Sequence, residues 1–254
     1  MSKERDPIYS AAVGVGRLLF GFLRIDRQAR GTENIPDTGG AVLAITHFGY
    51  LDFALVEWVT WLKNRRHVLF LATKRAFDKP AVGFLLRGMT HIEVDMNAGA
   101  GAFEKAVAAL KQGEILGVFP EGGVSASYTV RELKTGTARM AAEAGVPIIP
   151  VAVWGGHRLM TKKAKSRLIE KFGIPVHVSV GTPIVVAAAD DPAAVTRSLH
   201  STLQGFVDEL QRNYPVDGSG QPWQPAHLGG LAPTPAEAAT AEAERQARRA
   251  TQRD

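Results

Sequence analysis

The stretch AVLAITHFGYLD, residues 41–52, decides the fold of this chain. Its first six residues are apolar or small, and such a run is typical of a strand that is buried on both faces. Turn residues, GTENIPDTGG at positions 31–40, precede it, and a helical pattern follows it at residues 52–62. The stretch therefore predicts a strand, a loop and a helix in direct succession, which is the unit of a parallel α/β sheet.

The same succession of strand and helix repeats along the chain. It predicts an α/β fold with a mainly parallel sheet flanked by helices, in which the ligand site lies in the loops after the strands. The predicted strands cover residues 41–46, 67–72, 91–94, 115–119, 148–153 and 176–180, and the predicted helices cover residues 52–62, 102–111, 135–144 and 194–212.

The composition excludes several classes of site. The 254 residues are 45% hydrophobic, which is enough for one globular domain, and they include no cysteine. Disulfides, thiolate metal sites and cysteine nucleophiles are therefore excluded. No metal-binding motif is visible, so we predict neither a metal nor a cofactor. No apolar stretch reaches the roughly 18 residues of a membrane-spanning helix, and no secretory signal is evident.

The amino-terminal region, residues 1–26, contains an apolar, glycine-containing segment at residues 7–25. We predict an amphipathic helix that lies in the membrane interface, with Phe20, Phe22 and Leu23 among the acyl chains and arginines at the headgroups. Packing of this helix on the protein's own core is the alternative.

Two further regions follow. Residues 27–217 contain all the predicted strands and form the predicted folded domain. From residue 218 to residue 254 the composition shifts to Pro, Ala, Gln and paired charges, with almost no large apolar residue. We interpret residues 218–254 as a flexible tail.

Positive charge is concentrated in two runs. The chain has a formal charge of +5, and residues 63–79 and 157–171 each contain six basic side chains and one acidic side chain. Concentrated basic charge attracts phosphates, nucleic acid or anionic lipid. No helix-turn-helix, zinc-finger or aromatic RNA-binding signature is present, so we predict no nucleic-acid partner.

The residues capable of catalysis or ligand binding lie at the ends of three predicted strands. His47 and Asp52 follow the first apolar strand, and Gly49 between them permits a tight turn that brings the carboxylate to the imidazole. FPEGGVS at residues 119–125 places a carboxylate before two glycines, as in loops whose backbone N–H groups bind anions. VPIIPV at residues 146–151 flanks a strand with prolines.

In this order and at these separations, the three loops resemble the motifs of the PlsC-type glycerolipid acyltransferases, the lysophosphatidic acid acyltransferases. The first family motif, His and Asp separated by four residues, matches His47 and Asp52. The resemblance covers about residues 30–185. The remaining matches are the stretch KRAFDKPAVG at residues 74–83, FPEG at residues 119–122, Lys134-Thr135-Gly136, and VPIIPV at residues 146–151.

One departure concerns the third motif. Where the family has Thr-Arg after Glu-Gly, this chain has Gly123-Val124. The resemblance implies that the missing arginine holds the acceptor's phosphate. Its absence either argues against a free phosphomonoester as the acceptor or leaves the task to Lys74, Arg75, Arg131 or Lys134. The substrate-binding residues that we predict are Lys74, Arg75, Glu121, Gly122, Gly123, Arg131 and Lys134.

The resemblance implies a reaction and its partners. An acyl chain passes from acyl-CoA or acyl carrier protein, as co-substrate, to the free hydroxyl of lysophosphatidic acid, giving phosphatidic acid in phospholipid biosynthesis. His47 is the general base and Asp52 orients it, with backbone N–H groups stabilising the oxyanion. The enzyme is expected at an anionic membrane surface, peripherally on the cytoplasmic face. An apolar tunnel measures the acyl chain, and Phe53, Leu55, Trp58 and Trp61 either line it or belong to the core.

Other functions stay open at this point. The altered third motif keeps another lysophospholipid or a glycolipid possible as the acceptor. A basic, non-catalytic membrane-binding module is a more remote alternative. A serine hydrolase lacks its G-x-S-x-G motif here, and a nucleotide-binding enzyme lacks its glycine-rich loop.

Overall fold

The computed structural model describes residues 7–94, 99–161 and 168–251. Within these ranges a seven-stranded sheet carries helices on both faces. The strands are β1 Asp26–Arg30, β2 Ala41–Ile45, β3 Val68–Thr73, β4 Ile92–Val94, β5 Ile115–Val118, β6 Ile148–Trp154 and β7 Pro175–Val180. The helices are α1 Pro7–Phe22, α2 Asp52–Asn64, α3 Lys74–Phe77, α4 Pro80–Gly88, α5 Gly99–Lys111, α6 Gly136–Ala144, α7 Gly156–Leu159, α8 Pro192–Arg212 and α9 Pro235–Thr251.

The sheet is mainly parallel, as predicted. Its strand order is β1-β7-β6-β2-β5-β3-β4, and the antiparallel pair among the described strands is β6 with β7. Strand β2 lies in the middle and pairs in parallel with β5 and β6. The loops after β2, β3 and β5 therefore meet at one edge of the sheet, and all six predicted strands are present.

The sheet separates two apolar clusters, and this explains the uninterrupted apolar run of β2. Val42 and Ala44 face the cluster that includes residues of α5, α6 and α8, whereas Leu43 and Ile45 face the cluster that includes residues of α1 and α2. Every residue of β2 is fully buried. A strand covered on both faces needs apolar side chains at every position instead of at alternate ones.

Strand β1 is absent from the predicted strands. Its sequence, DRQAR, is polar, and four of its five residues are exposed. It pairs in parallel with β7 at the edge of the sheet. An edge strand is stabilised by main-chain hydrogen bonds on one side and need not bury its side chains, so hydropathy does not reveal it. The short helices α3, α4 and α7 were not predicted either.

Helix α1 packs on the body of the protein, and this corrects part of the prediction for residues 7–25. Phe20 and Leu23, which we expected among acyl chains, are buried in the cluster beneath α2. The Tyr9 hydroxyl lies 2.9 Å from Glu57 Oε2 and 2.6 Å from the Val68 carbonyl oxygen. Phe22 is exposed.

The described helices include none that is both long and apolar enough to cross a membrane.

The segment after α8 also differs from the prediction, because it is not a free tail over residues 218–254. The Trp223 carbonyl oxygen lies 3.1 Å from His157 Nε2, and the Trp223 ring lies under the Arg158 guanidinium at 4.3 Å. Ala232 is buried in the core. Helix α9 then follows and forms an ion pair with the body. The segment has few large apolar residues, but single aromatic, small and charged side chains are sufficient to attach it.

Candidate active site

The first strand-ending loop folds into a compact turn between β2 and α2. The Asp52 carboxylate begins α2, and its Oδ2 accepts the N–H groups of Phe48 and Gly49, each at 2.8 Å. The same oxygen lies 3.2 Å from His47 Nδ1. The predicted contact between His47 and Asp52 is therefore present, and the turn itself creates it because the carboxylate also binds the backbone of the turn.

This contact leaves the second ring nitrogen of His47 free of Asp52. With Nδ1 facing the carboxylate, Nε2 is the nitrogen that remains for an incoming hydroxyl group. The His47 side chain is 17% exposed and Asp52 only 1%. Burial raises the pKa of the Asp52 carboxyl, while the hydrogen bonds from His47 and the two backbone N–H groups act in the opposite direction.

Gly49 is required by the packing of this turn. A Cβ atom at position 49 would lie 2.7 Å from the Cα of His157, which is closer than real side chains approach a backbone. His157 is buried, with its ring 4.4 Å from that of Tyr128 and 4.5 Å from that of Trp154. The turn therefore rests on residue 157.

His157 marks the start of the basic run at residues 157–171 but is not one of its six charged side chains. Burial lowers its pKa to about 3, so the ring is neutral at physiological pH. The available sequence signal was Gly155-Gly156 directly after an apolar strand, which permits close approach of the backbone. Residues 162–167 of the same run lie outside the described residues.

The second loop, after β5, holds the backbone of His47 from both sides. Glu121 Oε1 accepts the His47 N–H at 2.8 Å, and the Ser125 N–H donates to the His47 carbonyl oxygen at 2.8 Å. The His47 ring stacks on Phe119, with centroids 4.0 Å apart. The loop therefore fixes the position of the imidazole independently of Asp52.

Glu121 was predicted to bind substrate, and the structure corrects this. Its side chain is buried, and its second oxygen, Oε2, accepts the Arg131 N–H at 3.1 Å. Both oxygens thus bind main-chain groups, and Glu121 joins the backbones at residues 47 and 131. Burial raises the pKa of Glu121 to about 8, against the effect of the two N–H groups that it accepts.

The two glycines of this loop make room for two cations. Gly122 has a φ of +68°, and a Cβ atom there would lie 3.0 Å from Lys134 Nζ. A Cβ atom at Gly123 would lie 3.1 Å from Arg131 Nη1. Of the predicted substrate-binding residues, Gly122, Gly123, Arg131 and Lys134 are therefore brought together, and their two positive charges lie over one turn.

Lys74 and Arg75 are placed differently. Both are exposed on the short helix α3, at the same edge of the sheet. Lys74 Nζ lies 3.9 Å from Glu93 Oε1. Among the residues that the structure describes, neither side chain forms a hydrogen bond or an ion pair with the His47 turn or with residues 119–125.

An aromatic row leads away from His47. From the stacked Phe119 the row continues to Phe70, at a centroid distance of 6.1 Å, and to Phe53, at 5.8 Å from Phe70. Phe53, on the first turn of α2, is 39% exposed, so the row opens at the surface. We refer to Phe119, Phe70 and Phe53 as the aromatic row.

The other three residues predicted to line a tunnel or to belong to the core lie elsewhere. Leu55 belongs to the core. Trp58 contacts Phe20 of α1, at 5.1 Å between centroids, and Trp61 lies beneath Arg17 of the same helix. Both tryptophans therefore connect α2 to α1. In the described part of the chain, no group of three or more His, Asp and Glu side chains is arranged to hold a metal ion.

Comparison with known proteins assigns the chain to a family. Residues 26–154 match the family model described as Acyltransferase. The 1-acyl-sn-glycerol-3-phosphate acyltransferase of Bacillus subtilis is 28% identical over 183 residues, which cover 71% of this chain and 87% of that protein. The protein of the same name from Borreliella burgdorferi is 27% identical over 153 residues, covering 59% of this chain and 58% of that protein.

A solved structure has the same fold. The crystal structure of the 1-acyl-sn-glycerophosphate (LPA) acyltransferase PlsC from Thermotoga maritima matches with a TM-score of 0.67 at 22% identity, over 85% of this chain and 86% of that chain. The family model covers half of the present chain, from β1 through β6, and so includes both loops that surround His47. On these grounds the chain belongs to the Acyltransferase family.

Proposed function

We propose that this acyltransferase transfers a fatty acyl chain from the thioester of acyl-CoA or acyl carrier protein to the free hydroxyl of lysophosphatidic acid, giving phosphatidic acid. The family assignment and the names of its relatives support this reaction. The observation that carries the proposal is the His47–Asp52 contact, 3.2 Å long, at the edge of the sheet where two cations also lie.

His47 acts as the general base. Its Nε2 accepts the proton of the acceptor hydroxyl while the hydroxyl oxygen attacks the thioester carbonyl carbon. The tetrahedral intermediate then collapses, the carbon–sulfur bond breaks, and the proton passes from His47 to the thiolate that leaves. Positioned proton transfer of this kind contributes roughly 10²–10⁴-fold. Asp52 stabilises the imidazolium and keeps Nε2 directed to the acceptor.

Arg131 and Lys134 bind the phosphate of the acceptor. Support comes from the Gly122–Gly123 turn, over which both cations lie, and from Glu121, which joins the backbones of His47 and Arg131. A guanidinium and an ammonium suit a phosphomonoester, because both donate charge-assisted hydrogen bonds to its oxygens. A phosphate bound here lies on the loop that also contacts the backbone and the ring of His47.

The aromatic row offers the acyl chain an apolar surface beside His47. It begins with the ring stacked on the imidazole and reaches the protein surface at Phe53. Apolar surface removed from water stabilises a bound alkyl chain by roughly 0.8 kcal/mol per CH₂ group. Phe70 is buried in the middle of the row, so an alkyl chain gains binding energy from contact with Phe119 and Phe53 at its two ends.

The enzyme works at an anionic membrane surface, peripherally on the cytoplasmic face. Support comes from α1 and α4, which expose Leu18, Phe22 and Phe84 at 75%, 63% and 62%. Arg17 and Arg65 lie over the Trp61 ring beside them, at 4.3 and 3.7 Å. Exposed apolar side chains next to tryptophan and arginine are typical of surfaces that lie in the membrane interface.

A direct assay tests the reaction. Purified protein is incubated with radiolabelled palmitoyl-CoA and lysophosphatidic acid, and the lipid product is identified by chromatography. We expect phosphatidic acid from the wild type and a loss of at least about 10³-fold in His47→Ala. His227→Ala, which removes an exposed histidine of the carboxyl-terminal segment, is the matched control. Near-normal turnover by His47→Ala would refute the role of this residue.

A second acceptor class is favoured by the third motif, where Gly123-Val124 replaces Thr-Arg. Another lysophospholipid, with a larger headgroup on its phosphate, or a glycolipid is the candidate acceptor. A panel of lysolipids assayed with one acyl donor distinguishes the two proposals. The acceptor with the highest kcat/KM decides between them.

A further inference from the structure

Helix α9 lies beside the cations of the site although it is outside the residues matched by the family model, 26–154. Its start is fixed by a capping box, because Glu237 Oε2 accepts the Thr234 N–H at 2.8 Å and the Thr234 hydroxyl accepts the Glu237 N–H at 3.3 Å. Two residues earlier, Ala232 is buried in the core. The helix therefore begins at a defined place on the body.

One stripe of α9 faces the body. Among its residues 235–248, the partly buried ones are Ala238, Ala241, Glu242 and Arg245, and the others are exposed. These four follow the i, i+3, i+4, i+7 spacing of one helix face. Alanines on this face permit close approach, and Glu242 is the acidic side chain that the stripe brings to the protein.

Glu242 meets Arg131. Arg131 Nη2 lies 2.9 Å from Glu242 Oε2, and both side chains are about 30% exposed. The other terminal nitrogen, Nη1, is the atom that lies beside Gly123. Glu242 thus contacts one end of the guanidinium fork and leaves the other end over the turn. The Arg131 backbone is separately held by Glu121.

We propose that Glu242 is a positioning residue for the acceptor site, and that α9 thereby completes this site. The inference rests on the proposed function, in which Arg131 binds the acceptor's phosphate. A long arginine side chain loses rotamer entropy when it is held in one orientation. Glu242 fixes this orientation before the acceptor arrives, so less of the binding free energy is lost on ordering.

The replacement of Thr-Arg by Gly123-Val124 in the third motif explains why Arg131 needs the contact with Glu242. In the third motif of the family, which this loop resembles, the arginine belongs to the loop itself, directly after Glu-Gly-Thr. Here the cation comes from residue 131, seven residues beyond Val124, and its side chain needs a second contact to stay over the loop. Helix α9 supplies that contact through Glu242.

Steady-state kinetics with the full-length protein test the proposal. Glu242→Gln keeps the shape of the side chain and removes its charge. We expect it to raise KM for lysophosphatidic acid by roughly two- to fivefold, the range for a partly exposed ion pair, and to leave kcat unchanged. Glu244→Gln is the matched control, because Glu244 is exposed on the same helix and lies 3.7 Å from Arg248 of α9.

A double-mutant cycle separates positioning from general damage. In an Arg131→Ala background, Glu242→Gln is expected to change KM no further, and an equal rise in both backgrounds would overturn the proposal. A fall in KM for Glu242→Gln would also overturn it, since Glu242 would then compete with the phosphate. No change with Glu242→Gln, together with a higher KM for Arg131→Ala, overturns the positioning role alone. An unchanged KM for Arg131→Ala overturns the acceptor site itself.

Discussion

The turn at residues 47–52 and the loop at residues 119–134 form the two halves of the candidate site, and they are built in different ways. In the turn, Asp52 reaches His47 and the N–H groups between them within five residues. In the loop, the charges come from Arg131 and Lys134, and Arg131 is held by Glu242 of a distant helix. The contact between the proposed base and its carboxylate thus arises within one turn, whereas the orientation of the proposed phosphate-binding arginine depends on a helix far along the chain.

The difference suggests how each half responds to change. The turn holds the proposed base, His47, beside Asp52. Substitutions in the turn are therefore expected to lower kcat. In the loop, the cations lie several residues beyond the glycine turn, so one cation can replace another, and substitutions there are expected to act on KM. In the proposed function, the altered third motif of this chain is an example of such an exchange.

The largest expected effect is that of Asp52→Asn. The neutral amide cannot stabilise an imidazolium, and its N–H₂ group takes the place of a buried carboxylate oxygen, Oδ1, that has no hydrogen-bond partner among the described residues. We expect kcat to fall by about 10³-fold while the protein stays folded. Steady-state kinetics and a thermal melt measure the two quantities. A kcat within tenfold of the wild type would show that the turn does not orient the base.

Gly49→Ala tests the close approach beneath the turn. Its Cβ would lie 2.7 Å from the Cα of His157, so the backbone must shift. We expect a loss of roughly 1–3 kcal/mol in the free energy of unfolding, together with a lower kcat, because the shift moves His47. Chemical denaturation and kinetics check both. Gly101→Ala is the control, since nothing lies within 4 Å of a Cβ there; equal destabilisation by both variants would contradict the argument.

Glu121→Gln tests the carboxyl group that joins the two halves. Burial raises the pKa of Glu121 from its ordinary value of 4.5 to about 8, so between these pH values the folded protein keeps a proton that the unfolded chain releases. The free energy of unfolding therefore falls as pH rises through this window, by up to about 1.4 kcal/mol per pH unit.

The Gln variant does not titrate at this position, so its unfolding free energy should depend less steeply on pH between 5 and 8. Urea denaturation of both proteins at pH 5, 6.5 and 8 measures the difference. At pH 5 the variant is expected to be the less stable, because its N–H₂ group faces one of two backbone N–H donors. Parallel pH profiles would show that Glu121 is ionised throughout the window.

The smallest expected effect is that of Gly123→Ala. The new methyl group would lie 3.1 Å from Arg131 Nη1, at the end of a long side chain, which can shift slightly although Glu242 contacts its other terminal nitrogen. We expect KM for lysophosphatidic acid to rise about two- to threefold with kcat unchanged, through a small displacement of the guanidinium. Kinetics with one acyl donor measure this. A change in kcat instead of KM would contradict the division between the two halves.

Several features of the fold and the site could be predicted because their signals are local. The six predicted strands are rich in apolar residues, and the His47–Asp52 contact follows from a spacing that one turn closes. Edge strand β1 could not be predicted, because a polar strand held by main-chain hydrogen bonds leaves no hydropathy signal. The burial of Phe20 in α1 also depends on a partner far along the chain.

The sequence by itself therefore determined the α/β order of elements, the family motifs and the pair that we propose as base and orienting carboxylate. Only the tertiary structure decided that Glu121 binds two backbones instead of substrate, that Arg131 and Lys134 lie over the glycine turn, and that α9 reaches Arg131. The physical reason is the range of the interactions. Periodicity and short spacings are recorded within a few residues, whereas burial and ion pairing depend on which distant segments the fold brings together.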